Sequence, residues 1–240
     1  MAQTQTNWHG KPYYSLDAWC KNTYGEKCYK IALDAGFTCP NRDGTIGTGG
    51  CIFCSAGGSG EFAVSLGKAD ISSQLQNGMN LFHDKKVGNR FIAYFQAYTN
   101  TYGPIDHLRQ VFTDAISADE IVALSIGTRS DCLPEDVLNL LEELSQKKPV
   151  WVELGLQTIH NGTLEAMNTH TTVEQFDAAV MKLHRRGISV ITHVILGLPG
   201  ETRDMMLETI QHVASLPVDG IKLQLLHVLK NTALAKMYEA

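Results

Sequence analysis

The sequence has no long run of apolar residues and no excess of positive charge. No stretch approaches the roughly 18 residues that a membrane helix needs. Residues 1–10 are polar and lack the apolar centre of a secretory signal. The net charge is −5, which excludes a generally basic surface for nucleic acid but still allows a local basic patch. We therefore predict a cytoplasmic protein without a membrane segment.

Cysteine is also sparse, with six residues in a chain of 240, which is too few for a disulfide scaffold. In a reducing compartment, closely spaced cysteines more often bind a metal or carry out redox chemistry. Cys39, Cys51 and Cys54 share one glycine-rich segment, and the last two form a CxxC pair. This spacing indicates a metal site.

Apolar residues make up 44% of the chain and charged residues 19%, which predicts a folded domain with a sizeable core. Apolar, β-rich runs recur at fairly even intervals and alternate with segments of helical periodicity. We predict strands over residues 30–33, 91–98, 121–126, 150–156, 189–196 and 221–226, and helices over residues 71–84, 105–116, 134–146, 173–186 and 203–216.

This alternation predicts an α/β fold whose parallel strands are joined by right-handed crossovers. Six such units fit a partial (β/α)6 TIM-like barrel, with a doubly wound sheet as the second choice. In either architecture the active site lies at the carboxyl ends of the strands.

The chain is predicted to have three parts. Residues 1–29 form an N-terminal extension, and residues 30–230 form the barrel. Residues 231–240 look like the opening of a helix without a capping glycine or proline, so we expect a C-terminal region that continues further. Within the barrel, the glycine-rich segment 34–66 has no periodicity and holds the three clustered cysteines, which predicts a functional loop.

Three clustered cysteines are one ligand short of a closed metal site. Structural zinc and iron–sulfur sites take four protein ligands, whereas a cluster held by three thiolates leaves one iron open for a substrate or cofactor. A zinc site completed by Cys28 or a histidine fits the spacing equally well. A zinc-dependent barrel enzyme and a non-catalytic iron–sulfur scaffold or redox sensor therefore remain alternatives.

Two stretches resemble a known family. Residues 30–44, KIALDAGFTCPNRDG, and residues 49–55, GGCIFCS, are similar to the YhcC/YtqA family of radical S-adenosylmethionine (SAM) proteins, which are relatives of the Elongator catalytic subunit. Cys51 and Cys54 match the CxΦC ending of the superfamily, in which Φ is aromatic and is Phe53 here. The gap after Cys39 is longer than the common three residues. The resemblance extends from about Tyr13 to the end of the chain.

The resemblance implies a radical SAM core with a cluster loop, in which Cys39, Cys51 and Cys54 hold a 4Fe-4S cluster. It also implies S-adenosyl-L-methionine as a cofactor and an electron donor such as flavodoxin or ferredoxin. Matches at several strand ends imply further contacts with the cofactor, at Phe53, Gln96, Tyr98, Arg129, Glu153, Gln157 and His193.

Some of these matches depart from the family pattern, and several have a structural alternative. Gly127 stands where the Elongator relatives carry a glutamate, so no role of that glutamate carries over. Arg129 could instead form a buried pair with Asp131. Glu153 could form an internal salt bridge, and His193 could be structural.

The resemblance also bears on the substrate. Relatives of the Elongator subunit act on wobble uridines of transfer RNA, so it implies a tRNA or modified uridine substrate. Small groups of positive residues could contribute to RNA binding, although such groups are usually solvated surface; they are Lys85, Lys86 and Arg90, and separately Arg185 and Arg186.

Overall fold

A computed structural model describes residues 8–58, 70–83 and 88–239. Within these residues six parallel strands form one sheet in the order β1-β2-β3-β4-β5-β6, which is a half-barrel. The strands are β1 (Tyr29–Leu33), β2 (Phe91–Phe95), β3 (Ile121–Arg129), β4 (Val150–Gln157), β5 (Ser189–Leu196) and β6 (Gly220–Leu225). The helices are α1 (Leu16–Tyr24), α2 (Ile71–His83), α3 (Ile105–Ser117), α4 (Glu135–Ser145), α5 (Asn161–Ala166), α6 (Val173–Arg185), α7 (Arg203–Ser215) and α8 (Ala233–Glu239).

The sequential strand order confirms the partial barrel and excludes the doubly wound alternative, which requires the strand order to reverse. All six predicted strands and all five predicted helices are present. The predicted helical opening after residue 231 corresponds to α8. The predicted segment 34–66 is described only up to residue 58, and Lys85 and Lys86 lie outside the described residues.

The predicted end of β2 was wrong, because the strand stops at Phe95 and not at residue 98. Backbone groups beyond Phe95 have partners elsewhere: the Tyr98 N–H donates to the Gly58 carbonyl at 3.0 Å, and Tyr98 has a positive φ of 63°. The side-chain amide of Asn100 donates to the Phe95 carbonyl at 3.2 Å and to that of Gly127 at 2.8 Å. These contacts turn the chain away from the sheet.

The sequence prediction missed two helices, α1 and α5. Helix α1 begins at Ser15, whose hydroxyl accepts from the Ala18 N–H at 3.2 Å, and it ends at Gly25 with φ 79°. A serine before the first turn and a glycine after the last turn are standard signals for the start and the end of a helix, so α1 was detectable from the sequence. Helix α5 spans only six residues and its N-cap makes no side-chain hydrogen bond, so it left no such signal.

Alternate residues of each strand face opposite sides of the sheet. One side packs against the helices in a large apolar core that includes Leu33, Phe95, Leu124, Leu154 and Val190.

The other side of the sheet lines the lumen of the half-barrel, and α1 closes the lumen at the amino ends of the strands. The Trp19 ring packs edge-on against Trp151, with ring centroids 5.7 Å apart. The Tyr24 hydroxyl donates to the Val122 carbonyl at 3.2 Å. Because this end is filled with apolar side chains, we expect the functional site at the carboxyl ends of the strands. None of the described helices is long and apolar enough to cross a membrane.

Candidate functional site

The cysteine loop, residues 34–58, follows β1 and folds into tight turns at the carboxyl ends of the strands. The N–H groups of Arg42 and Asp43 donate to the Cys39 carbonyl at 2.8 and 3.2 Å. The Cys54 N–H donates to the Cys51 carbonyl at 3.0 Å. Gly50, with φ 80°, lets the chain turn just before Cys51. The turns therefore bring the CxxC pair and Cys39 into one compact loop.

The chain after α5 holds one side of the cysteine loop. Buried Asn41 donates its amide to the Asn168 carbonyl at 2.6 Å, and the Asn168 amide donates to the Gly50 carbonyl at 2.8 Å. The Ile52 N–H donates to the Met167 carbonyl at 3.1 Å. The Asn41 amide nitrogen also lies 3.7 Å from the Cys51 sulfur, so it donates a hydrogen bond to a candidate ligand.

Tyr98 and Arg42 hold the other side of the loop. The Tyr98 hydroxyl donates to the Ala56 carbonyl at 2.6 Å. The Arg42 guanidinium donates to the carbonyls of Ser55 at 2.5 Å and Cys54 at 3.3 Å, and lies 5.5 Å from the centre of the Tyr98 ring. Tyr98, predicted as a cofactor contact, thus uses its hydroxyl to fix the loop.

The three thiols share one electrostatic neighbourhood with a guanidinium. Burial raises the pKa of the Cys51 thiol to about 12, with smaller contributions from Cys54 and Cys39 in the same direction. The positive charge of Arg129 opposes this rise. A metal that binds here must therefore displace a proton from Cys51.

Arg129 adopts the structural alternative considered for it. Its guanidinium forms a two-point pair with the Asp131 carboxylate at 2.9 and 2.8 Å, and donates to the Thr169 carbonyl at 2.9 Å. It thereby links the end of β3 to the segment that supports the cysteine loop. Cys132 lies beside this pair with its buried thiol 3.6 Å from Asp131.

In the described part of the chain, no three His, Cys, Asp or Glu side chains are grouped so that they could hold a single metal ion. The ligands of a single ion must converge on one point, whereas a 4Fe-4S cluster binds each thiolate through a different iron.

Cys28 cannot complete a zinc site with these three cysteines. It precedes β1, while they follow it, and a five-residue strand is about 16 Å long. Its thiol is buried beside Cys20 and the Glu26 carbonyl. This position excludes one form of the zinc alternative.

A second feature at the carboxyl ends fits an additional polar ligand. Gln157 ends β4 at an irregularity in the strand pairing and has a positive φ of 72°. Its buried amide oxygen has no hydrogen-bond partner among the described residues. Strained backbone and an unpartnered buried acceptor are features that often mark a ligand site.

The other predicted contacts at this end lie nearby. Phe53 packs against a small apolar cluster of Met167, Ile195 and Leu198, and so joins the loop to the end of β5. Gln96 is half-buried just beyond the end of β2. Gly127 has no room for a side chain, because an added Cβ would lie 3.2 Å from the Phe95 carbonyl oxygen.

Glu153 and His193 lie deeper in the lumen and contact each other. The fully buried Glu153 carboxylate lies 2.7 Å from His193 Nε2 and accepts from the Ser125 hydroxyl at 2.5 Å. It also pairs with Lys30 and, at 3.4 Å, with Lys222. The internal salt bridge considered for Glu153 is thus present.

These contacts determine the protonation states of Glu153 and His193. Burial by itself raises the pKa of Glu153, but the His193 hydrogen bond and the two lysine charges hold it well below its usual range. Burial lowers the pKa of His193, although Glu153 opposes this shift. Glu153 is therefore ionised and His193 neutral at pH 7.

Sequence reasoning missed several residues of this region. Lys30 and Lys222 each stand alone as a charged residue in a short strand, and that pattern was a usable signal. Asn41, Arg42 and Asn168 gave no such signal, because their partners are backbone groups brought close only by the fold.

Residues 41–213 match the family model of the radical SAM superfamily. The chain is 47% identical over 229 residues to the protein YtqA of Bacillus subtilis, covering 95% of this chain and 71% of that protein. It is 43% identical over 218 residues to the protein YhcC of Escherichia coli strain K12, covering 90% of this chain and 69% of that protein.

Two further likenesses are more distant. A tRNA uridine(34) acetyltransferase of Methanocaldococcus jannaschii is 32% identical over 121 residues, which is 49% of this chain and 22% of that protein. The solved structure of the archaeal Methanocaldococcus infernus Elp3 superposes with a TM-score of 0.62 at 21% identity, covering 71% of this chain. The matched region spans 45% of that Elp3 chain, so this likeness concerns the fold.

Proposed function

The chain belongs to the radical SAM superfamily, and we propose that Cys39, Cys51 and Cys54 hold the 4Fe-4S cluster with which it cleaves S-adenosylmethionine. The family uses such a cluster together with S-adenosylmethionine, and its members are enzymes that need a reductant. The observation that carries the assignment is the compact loop after β1, in which the CxxC turn and Cys39 come together without a fourth protein ligand from Cys28.

The bound cluster supplies the electron that breaks a carbon–sulfur bond of S-adenosylmethionine, which gives a 5′-deoxyadenosyl radical able to abstract hydrogen from a substrate. The protein's part is to hold and shield this chemistry. In our proposal the three thiolates bind three irons, and Asn41 donates a hydrogen bond to the Cys51 sulfur. Arg42 and Tyr98 keep the loop closed over the barrel end.

The remaining predicted residues are assigned as cofactor contacts in the same proposal. The unpartnered amide oxygen of Gln157 accepts from a donor on the bound nucleotide. Phe53, in the cysteine loop, packs against the same nucleotide. Gln96 contributes at the end of β2, and Arg129 adds positive charge near the thiols. Glu153 and His193 belong to the same proposal as polar residues that lie deeper in the lumen than the other cofactor contacts.

The test is anaerobic reconstitution of the protein followed by reduction with dithionite in the presence of S-adenosylmethionine. We expect about four irons and four sulfides per chain and release of 5′-deoxyadenosine. Cys39→Ala, Cys51→Ala and Cys54→Ala should each abolish that release, whereas Cys132→Ala, the matched control, should retain it.

A protein that binds zinc alone and no iron would refute the proposal. A cluster that forms without release of 5′-deoxyadenosine would instead support a non-catalytic scaffold or redox sensor. Replacement of dithionite by flavodoxin or ferredoxin would test the proposed electron donors. A cytoplasmic location, for which the sparse cysteines are the support, belongs to the same proposal.

For the substrate, the proposal is transfer RNA, at a wobble uridine. Its support is the partial likeness to a tRNA uridine(34) acetyltransferase, together with the shared fold of the archaeal Elp3. The net charge of −5 requires any RNA contact to be local. Binding of tRNA should therefore weaken as salt rises. The Arg186 guanidinium pairs with Glu135 and Glu142, so the exposed Arg185 is the better candidate for a phosphate contact, and Arg185→Gln should reduce binding. Failure of the full-length protein to bind tRNA at low salt would count against this substrate.

A further inference from the structure

Every strand of the half-barrel contributes one polar side chain to a single group inside the lumen. We call this group the lumen layer; its members are Lys30 (β1), Tyr94 (β2), Ser125 (β3), Glu153 (β4), His193 (β5) and Lys222 (β6). All six are joined by direct contacts through Glu153 or Tyr94. Barrel interiors are usually filled by bulky apolar residues, so a polar layer at this depth needs a reason.

The charges of the lumen layer do not cancel. Two lysine ammonium groups face the single carboxylate of Glu153, and neither lysine pairs with another carboxylate in the described part of the chain. His193 is neutral near pH 7, because burial lowers its pKa. The layer therefore carries one uncompensated positive charge, which favours an anion as its ligand.

The two lysines also form the accessible wall of the layer. The side chains of Lys30 and Lys222 are 26% and 36% exposed, while that of Glu153 is 0% exposed. The Lys222 ammonium is held loosely, 3.4 Å from Glu153, and donates to the Tyr94 hydroxyl at 3.2 Å. The Tyr94 hydroxyl in turn has a hydrogen bond with Glu153, which contributes to its raised pKa. An incoming anion can thus meet the two ammonium groups.

The neighbouring strand positions toward the carboxyl ends carry glycines. Gly127 is the strand-pairing partner of Glu153, and Gly155 is the partner of His193. Paired residues of parallel strands face the same side of a sheet, so neither position adds a side chain of its own to the lumen. The Phe95 carbonyl and the Gln157 side-chain amide lie against these two positions, between the lumen layer and the carboxyl ends, where the cysteine loop lies.

From this arrangement we infer that the lumen layer binds an anionic group of the substrate, a phosphate ester or a carboxylate, through Lys222 and Lys30. The inference rests on the proposed function, since it takes the lumen as the place where substrate meets the radical. Glu153 pairs with both lysines and leaves one net positive charge for the ligand.

The test is a calorimetric titration of the anaerobically reconstituted protein, with S-adenosylmethionine present, in a low-salt buffer. Inorganic phosphate and acetate are the two probes, and the tighter of the two identifies the class of anion. We expect saturable binding at one site in the unmodified protein. Lys222→Gln should weaken it by about tenfold or more, because a hydrogen bond to a charged group is lost. Lys222→Arg should retain it within about threefold.

Lys236→Gln is the matched control, since it removes an exposed lysine on α8. Lys222→Gln leaves the Lys30–Glu153 pair intact and should fold, which its unfolding midpoint will show. The bound anion should raise the midpoint of the unmodified protein but not that of Lys222→Gln. If Lys222→Gln does not fold, Lys30→Gln replaces it and should weaken binding several-fold.

The outcomes separate the inference from the proposed function. Release of 5′-deoxyadenosine by the unmodified protein without saturable binding of either anion overturns the inference alone. Equal binding by the unmodified protein and Lys222→Gln also overturns it. Anion binding that depends on Lys222, without release of 5′-deoxyadenosine, supports the anion site and counts against the proposed function alone.

Discussion

The role of a polar residue inside this barrel depends on the residues that it contacts more than on its own residue type. The sequence identified Glu153 and His193 as polar residues in apolar strands, which is enough to predict that each needs a partner. It could not show that they are each other's partner, because they are 40 positions apart and meet only when β4 and β5 pair. The same holds for Lys30, which reaches Glu153 from β1 across the lumen.

Neutral His193 makes the stability of the folded chain depend on pH. An unfolded histidine takes up a proton near pH 6.5, while the folded chain binds it only at lower pH, because burial lowers the pKa of His193. At pH values between the folded and the unfolded pKa of this histidine, the unfolded state binds one more proton. The free energy of unfolding should therefore fall as pH falls below 6.5, by up to about 1.4 kcal/mol per pH unit from this group.

Urea unfolding at pH 7.5, 6.0 and 5.0 measures this slope. His193→Gln should flatten it, and His184→Asn, which removes an exposed histidine of α6, controls for the loss of a histidine in general. Glu153 also has a lowered pKa, so its contribution is lost only below its unfolded value of 4.5, in a separate range of pH. An unchanged slope in His193→Gln would contradict the assignment of a neutral buried histidine.

At the scale of elements, the sequence predicted what depends on local pattern and missed what depends on distant partners. All six strands were found because each appears as an apolar, β-rich run, including β6, whose residues are mostly exposed. The end of β2 was wrong because the partner of the Tyr98 N–H is Gly58, in the cysteine loop. The loop itself was recognised from its glycines and cysteines, but its anchoring by Asn168 could not be read from the sequence.

Helix α1 shows that a segment predicted as an extension belongs to the barrel interior. Its Trp19 packs edge-on against Tyr24 at 5.6 Å and Trp151 at 5.7 Å between ring centroids. Buried Cys20 and Cys28 fill the space beside them. The amino ends of the strands are therefore sealed by an element that precedes β1 in sequence.

Trp19→Ala should lower the free energy of unfolding by about 3 kcal/mol, because a large ring is lost and a cavity remains under the barrel. Trp19 is only partly buried, which places the loss at the lower end for such changes. Leu16→Ala in the same helix is the control: Leu16 is 46% exposed, so its loss should change stability by less than about 0.5 kcal/mol. Urea unfolding followed by circular dichroism compares the two variants. Equal effects would show that α1 does not stabilise the fold through the packing of Trp19.

At the scale of the whole molecule, the half-barrel has two open edges, and the lumen layer connects them. Within the described residues β1 pairs only with β2, and β6 only with β5, so no backbone hydrogen bonds join the two edge strands. Lys30 on β1 and Lys222 on β6 nevertheless both contact Glu153 on β4. One carboxylate thus links the two edges of the sheet through side chains.

Glu153→Gln should therefore act on both edges at once. It leaves two partly exposed ammonium groups without a counter-charge, which should lower the free energy of unfolding by about 2–3 kcal/mol, less than for a fully buried pair. Glu143→Gln is the control, because Glu143 pairs with Arg109 in an ion pair whose side chains are each 46% exposed, and its loss should cost less than about 1 kcal/mol. In native-state hydrogen exchange, the Glu153 variant should lose protection first in β1 and β6, while β3 at the centre of the sheet remains protected. Uniform loss of protection across the six strands would show that the carboxylate supports the core in general and does not join the edges in particular.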